Sequence, residues 1–260
     1  MRQATIETVQ RYWDARPCNV RHSDKPLGSR EYFDEVEKRK YFVEPHIPGF
    51  ADFSRWSGKR VLEVGCGIGT DTISFARAGA MVTAVDLSEK SLDLARERAR
   101  AYGLESRIRF CQADAERLAE AVPAEAYDLV YSFGVIHHTP QPRRAVDALR
   151  AFMSAHSELR AMIYARNSWK AAMIDAGMDR PEAQAGCPVA FTYTPEEARD
   201  LLQGFAILEM RQDHIFPYVV EKYVRYEYEL QPWFRAMPPE MFRALERRFG
   251  WHLLIRAKLA

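Results

Sequence analysis

The sequence is short of cysteine and spaces what it has without pattern. Cys18, Cys66, Cys111 and Cys187 are its four cysteines, and none forms a C-x-x-C pair. That spacing argues against a zinc site and against a disulfide framework. No apolar run reaches the length needed to cross a bilayer. An excess of one charge is also missing, since 37 Lys and Arg face 36 Asp and Glu, for a formal net charge of +1. Such a chain has no strong field to recruit nucleic acid or an anionic membrane, so neither is expected as a partner. Internal repeats and low-complexity tracts are absent. Glu7 and Asp14 interrupt the N-terminal arginines, so this stretch does not read as a secretory signal, and a cytoplasmic protein is expected. What remains is 260 residues, 47% hydrophobic and 28% charged, enough for one large domain or a core with a cap.

The chain is organised around Glu63-Val64-Gly65-Cys66-Gly67-Ile68-Gly69-Thr70. The apolar run Arg60-Val61-Leu62 before it reads as a buried strand, and Asp71 to Ala78, closed by Gly79, as a helix. Strand, glycine turn and helix bring backbone close to a nucleotide-like ligand. Gly65, Gly67 and Gly69 follow G-x-G-x-G spacing, not the G-x-G-x-x-G of dinucleotide enzymes. Glu63, two residues before the first glycine, leans the reading toward S-adenosylmethionine (SAM). Downstream, Met81 to Val85 reads as a second strand that ends at Asp86, where an acid can accept from both ribose hydroxyls. Ile108 to Gln112 is a third strand, followed by Asp114. Tyr127 to Phe133 is a fourth, followed by His137 and His138.

Glu63 to Thr70, with the acids that follow, resembles motif I of the class I SAM-dependent methyltransferases. The likeness is closest to the type 11 group, which includes ubiquinone-type enzymes. It covers residues 58–165 well and the rest more loosely. It implies an α/β fold, a Rossmann-like seven-stranded sheet with helices on both faces and a helical cap. The implied cofactor is S-adenosyl-L-methionine, with S-adenosyl-L-homocysteine (SAH) as product, and no metal. Glu63, Gly65, Cys66, Gly67, Asp86, Leu87 and Ser132 are then expected at the cofactor. Asp114 would accept from the adenine amine, and the Ala115 N–H would serve a ring nitrogen. The chain departs from the family pattern at Met153 to Glu158, where a Pro-Gly-Gly turn is usual.

Residues 1–57 are expected to be a lid, with helices at Met1–Trp13 and Glu31–Val43, ahead of a methyltransferase domain at 58–260. Cap insertions are expected near 165–193 and 217–249, with Pro217–Leu230 and Pro239–Phe249 helical. Tyr12, Trp13, Arg16, Arg21, His22, Trp169 and Tyr193 are candidates for holding the acceptor. His137 and His138, near the expected path of the methyl group, are the catalytic candidates because their pKa lies near neutrality. The charges of the helix from Ser88 to Tyr102 read as surface chemistry. The expected activity is methyl transfer to a small polar metabolite, an anionic one included, at an O, N, C or S atom. Alternatives are a protein or nucleic-acid methyltransferase, an oxidoreductase with a nicotinamide cofactor, and a non-catalytic SAM-binding regulator. The strand-four end lacks the (Asn/Asp)-Pro-Pro-(Tyr/Phe) arrangement of enzymes that methylate base amines. Oligomeric state is left open.

Overall fold

The computed structural model describes residues 4–178 and 186–260. Expectations that reach into 1–3 and 179–185 therefore fall outside the described residues. The strands are β1 (Arg60–Val64), β2 (Met81–Asp86), β3 (Ile108–Gln112), β4 (Tyr127–Phe133), β5 (Met153–Ala165), β6 (Thr192–Tyr193), β7 (Phe205–Asp213) and β8 (His252–Leu259). They form one sheet in the order β3-β2-β1-β4-β5-β8-β7, with the two-residue β6 pairing β5 off this path. The seven-strand path matches the expectation, and β6 is an addition from the insertion. β8 runs antiparallel to β5 and β7, while the other pairs are parallel. Val61 to Val64 are all buried, as a central parallel strand covered on both faces requires. The strand order reverses between β1 and β4, so the crevice at their C-terminal ends is where such a sheet takes a ligand.

The helices are α1 (Ile6–Ala15), α2 (Arg30–Val43), α3 (His46–Ala51), α4 (Thr70–Arg77), α5 (Glu89–Tyr102), α6 (Pro142–Arg150), α7 (Trp169–Asp175), α8 (Pro195–Leu201), α9 (Val220–Tyr223), α10 (Pro232–Arg235) and α11 (Pro239–Phe249). Their ends follow local chemistry. Ser29 caps α2 by accepting from Tyr32 N–H, and Ser88 caps α5 by accepting from Ser91 N–H. α5 stops at Gly103, whose φ of 66° suits a residue without Cβ. Thr194 and Glu197 close a reciprocal capping box on α8.

Three expectations are corrected. Arg98 on α5 is not surface chemistry: it is fully buried, donating to Thr70 Oγ1 at 2.7 Å and to the Phe33 carbonyl at 3.0 Å. Periodicity marked its neighbours correctly, but the N-terminal helix α2 covers this position. The expected helix at Pro217–Leu230 is one short turn, α9, inside a hairpin. Val219 N–H donates to the Glu229 carbonyl and Gln231 N–H to the Pro217 carbonyl, each at 2.8 Å, and Tyr226 sits at φ 65°. The segment expected to replace the Pro-Gly-Gly turn is part of β5, with a bulge. Tyr127 pairs Met153 while Leu129 pairs Glu158, so four β5 residues loop out between the two. Ser157 Oγ accepts from Ser154 N–H and donates to the Tyr127 carbonyl, which holds the bulge against β4.

Both chain ends build the cap. Phe42 of α2 stacks on Tyr218 at 5.9 Å, and the Arg39 guanidinium lies over the Tyr223 and Tyr226 rings at 4.1 and 4.2 Å. A desolvated cation on aromatic faces is worth about 2 kcal/mol, so Arg39 ties α2 to the C-terminal hairpin. No helix among the described residues is long and apolar enough to cross a membrane.

Candidate active site

A cavity of about 360 Å³ opens at the C-terminal ends of β1, β2 and β4 and runs beneath the cap. At the sheet end it is lined by Gly65, Cys66, Gly67, Asp86, Leu87, Asp114 and Ala115, and at the cap end by Trp13, His22, His138, Trp169 and Tyr223. Gly65 has φ 84°, and a Cβ there would lie 1.9 Å from Val135 Cγ2. Gly67 has φ 53° and nothing within 4 Å of its Cβ position. One glycine therefore permits packing inside the protein, and the other keeps the cavity wall free.

Four of the loop's amides are already committed. Gly65 and Cys66 N–H both donate to the Val85 carbonyl, at 2.7 and 2.9 Å, and Gly69 N–H donates to the Cys66 carbonyl at 3.0 Å. Gly67 N–H donates to Asp86 Oδ2 at 2.8 Å, and Ser88 N–H to Asp86 Oδ1 at 2.9 Å. Burial pushes the Asp86 carboxyl up to about 6, against the pull of those backbone donors. The first turn of α4 holds its own anion. Asp71, buried at 2% exposure, accepts from Lys40 Nζ at 2.7 Å, Tyr41 Oη at 3.0 Å and Tyr131 Oη at 2.9 Å. In a dinucleotide fold the pyrophosphate occupies this helix start. Here the first turn of α4 already holds an ion pair of the protein's own, Asp71 with Lys40.

Two of the expected cofactor residues do not line the cavity. Glu63 points beneath α4, where it accepts from Thr72 Oγ1 at 2.5 Å, and burial holds its carboxyl well above the usual range. Strand alternation places Val64 on the cavity side instead. Ser132 is fully buried with no partner for its Oγ. Asp114 keeps its place and caps the turn after β3, with Oδ1 accepting from Glu116 N–H at 2.9 Å.

The two histidines differ. His138 lines the cavity and its Nδ1 lies 2.7 Å from the Val189 carbonyl. A carbonyl only accepts, so Nδ1 carries the proton and Nε2 keeps a lone pair. Burial holds the ring below its ordinary pKa, hence neutral. His137 lies off the cavity, fully buried against Tyr164 at 3.8 Å, with neither nitrogen partnered. Of the acceptor candidates, Trp13, His22 and Trp169 line the cavity, and Tyr12, Arg16, Arg21 and Tyr193 do not. Arg21 is exposed, and Tyr193 packs partly buried against the main core on the two-residue β6. Burial pushes His22 down to about 3, so it is no cation at neutral pH. The sequence reading missed the opposite wall, where Lys40, Glu44, His214 and His252 line the same space. Lys40 and Glu44 lie four apart on α2 and at its end, an i,i+4 spacing that was legible but resembles an ordinary surface pair.

A family model described as a methyltransferase domain matches residues 61–155. Over this stretch the chain is similar to methyltransferase domains. The domain match covers β1 to the start of β5, the elements that carry the glycine turn, Asp86, Asp114 and both histidines. The chain is 44% identical over 97 residues to a ubiquinone biosynthesis O-methyltransferase of Bordetella parapertussis, covering 36% of this chain and 38% of that one. It is 36% identical over 121 residues to the protein of that name from Salmonella paratyphi A, covering 46% and 49%. The chain thus spans two fifths to one half of the length of these curated relatives. In structure it is similar to magnesium protoporphyrin IX methyltransferase from Synechocystis with bound SAH, at TM-score 0.63 and 15% identity, over 98% of this chain and 100% of that one. The matched stretch ends near the bulge of β5. The N-terminal helices, the insertion and the hairpin, which contribute lining at the cap end of the cavity, lie outside it.

Proposed function

We propose that this protein transfers a methyl group from SAM to a small-molecule acceptor enclosed under the cap. The observation that carries this reading is one cavity that joins the glycine turn, Asp86 and Asp114 to the space under the cap. The turn's G-x-G-x-G spacing departs from the G-x-G-x-x-G of dinucleotide enzymes. Bound SAM supplies a methyl group already activated by the sulfonium. Asp86 has a second lone pair on each oxygen to accept from the ribose hydroxyls, charge-assisted bonds of the stronger class. Asp114 Oδ2 and the Ala115 N–H serve the adenine edge, and Gly67 leaves the loop open beside the ligand.

Residues 1–57 act as a lid. Asp14 on α1 accepts from Ser88 Oγ at 2.7 Å, next to Asp86, and Trp13 sits edge-on to His138 at 5.4 Å. Closing this helix excludes water and aligns the acceptor, which is most of what the protein must do here. His138 is the base for an acceptor that must lose a proton, which Nε2 takes up. His137 is a packing residue. The names of the curated relatives speak of O-methylation in ubiquinone biosynthesis, which supports an acceptor of metabolite size. Incubating the protein with methyl-labelled SAM and separate pools of metabolites, proteins and RNA tests the class. Label is expected in the metabolite pool. Label confined to protein or RNA sinks the small-molecule reading, and no transfer at all favours a SAM-binding regulator.

A further inference from the structure

The wall opposite His138 carries three potential metal ligands from distant parts of the chain. Glu44 follows α2, His214 follows β7 and His252 begins β8, and one ligand atom from each lies within 4.8 Å of the other two. All three face the cavity. We infer that Glu44, His214 and His252 form a divalent metal site of two histidines and one carboxylate, which anchors an anionic group of the acceptor. This rests on the methyl-transfer reading only for the acceptor's role, since the ion site stands on geometry alone.

The site is built as metal sites are. His252 Nε2 is 3.7 Å from Glu44 Oε1, while its Nδ1 is held by His46 Nε2 at 2.9 Å. A ligating histidine whose other nitrogen is bonded to an outer partner is the usual arrangement, and it fixes the ring. His214 is held by backbone. Its carbonyl accepts from Trp251 N–H at 2.8 Å, and its φ of 71° is left-handed, rare for a residue with Cβ. Gly250 allows this approach, because a Cβ there would lie 2.2 Å from the Asp213 carbonyl oxygen. Strain of this kind persists where surrounding structure over-determines it, and it clusters at functional sites. The register Asp213↔His252 sets the two histidines side by side, with ring centroids 4.7 Å apart. Lys40 on the same wall is paired with Asp71 at 2.7 Å, which offsets its repulsion of a cation.

Two imidazoles and a carboxylate suit a borderline ion such as Zn²⁺, which keeps a further position open for a ligand. Bonds of about 2.0–2.2 Å need the three side chains to draw together by roughly an ångström from their present spacing. Tyr164 stands between the two walls, 5.5 Å from His138 and 6.3 Å from His252. An acceptor held by an anionic oxygen on the ion can therefore present a second group toward His138. Arg16 and Arg21 lie off the cavity, so the ion supplies the positive charge that the sequence had suggested they would.

Calorimetric titration of the chelator-treated full chain with Zn²⁺ alone should show one ion per chain. Co²⁺ alone should give visible absorption that Zn²⁺ displaces. His252→Ala, His214→Ala and Glu44→Gln should each weaken Zn²⁺ by more than the roughly 10–100-fold expected for His46→Ala, the outer-partner variant. His156→Ala, an exposed histidine on the β5 bulge, should change nothing. Folding of each variant is read from SAH binding in the same instrument, which should survive. No one-to-one binding in the unaltered protein overturns the site whatever the variants do, as does undiminished binding in a folded His252→Ala. Zn²⁺ binding without SAH binding would leave the ion site standing and remove the methyl-transfer reading instead.

Discussion

Gly65→Ala should destabilise the protein far more than Gly67→Ala, although both glycines sit in one turn at positive φ. Each alanine meets the left-handed backbone penalty of about 1–2 kcal/mol. At Gly67 that is nearly the whole cost, because its Cβ position is open. At Gly65 the added methyl lies 1.9 Å from Val135 Cγ2 and 3.0 Å from Val135 Cβ, far inside contact distance. Overpacking of this kind adds about 1–3 kcal/mol, for roughly 2–5 kcal/mol in all. With about 2–4 °C per kcal/mol for a chain of this size, melting should fall by roughly 4–20 °C in Gly65→Ala and about 2–8 °C in Gly67→Ala. Thermal melting followed by circular dichroism measures both. SAH affinity should fall in folded Gly67→Ala, whose methyl takes open space at the cavity wall. Adding Val135→Ala should recover part of the Gly65→Ala loss, a coupling of about 1–3 kcal/mol between touching residues. Equal melting losses for the two single variants, or no recovery with Val135→Ala, would refute the division of roles.

Three further outcomes follow from the site. His138→Ala should lower kcat about 10²–10⁴-fold with SAH binding intact, whereas His137→Ala should lower the melting temperature and leave the rate of folded enzyme unchanged; steady-state kinetics beside melting curves separate them. Glu63, which burial pushes up to about 8, binds its proton more tightly folded than unfolded. The native state therefore holds more protons, and stability should fall as pH rises from about 6.5 to 8. Glu63→Gln should flatten that slope in urea titrations at several pH values, and an unchanged slope would count against a buried, raised Glu63. Limited proteolysis within residues 4–29 should slow when SAH is added, because α1 latches to Ser88 beside Asp86; equal cleavage with and without SAH would count against the lid.

The central sheet was legible because its signals are local. Val61 to Val64 is buried on both faces and so uniformly apolar save for Glu63, and Ser88, Gly103 and Thr194 mark helix ends by side-chain chemistry alone. Asp86, Asp114 and the glycines were legible because each sits at or just beyond the C-terminal end of a strand. What failed depends on contacts far apart in sequence. Arg98 reads as surface until α2 covers it, and the hairpin at 217–231 reads as helix until Tyr226 takes a left-handed backbone. Glu63 has the right residue type, but alternation along β1 turns it under α4. The wall of Glu44, His214 and His252 joins residues some 170 and 210 positions apart, a meeting that only the β7–β8 register creates.

The central claim is that the cavity at Gly67, Asp86 and Asp114 takes SAM and rejects a dinucleotide. Isothermal titration of the intact chain with SAH and, separately, with NAD tests it directly. SAH should bind at one site per chain and NAD far more weakly. Asp86→Ala should cost SAH about 1.5–3 kcal/mol, the range for hydrogen bonds to a charged group. Tight NAD binding without SAH binding, or SAH affinity indifferent to Asp86→Ala, would contradict the account.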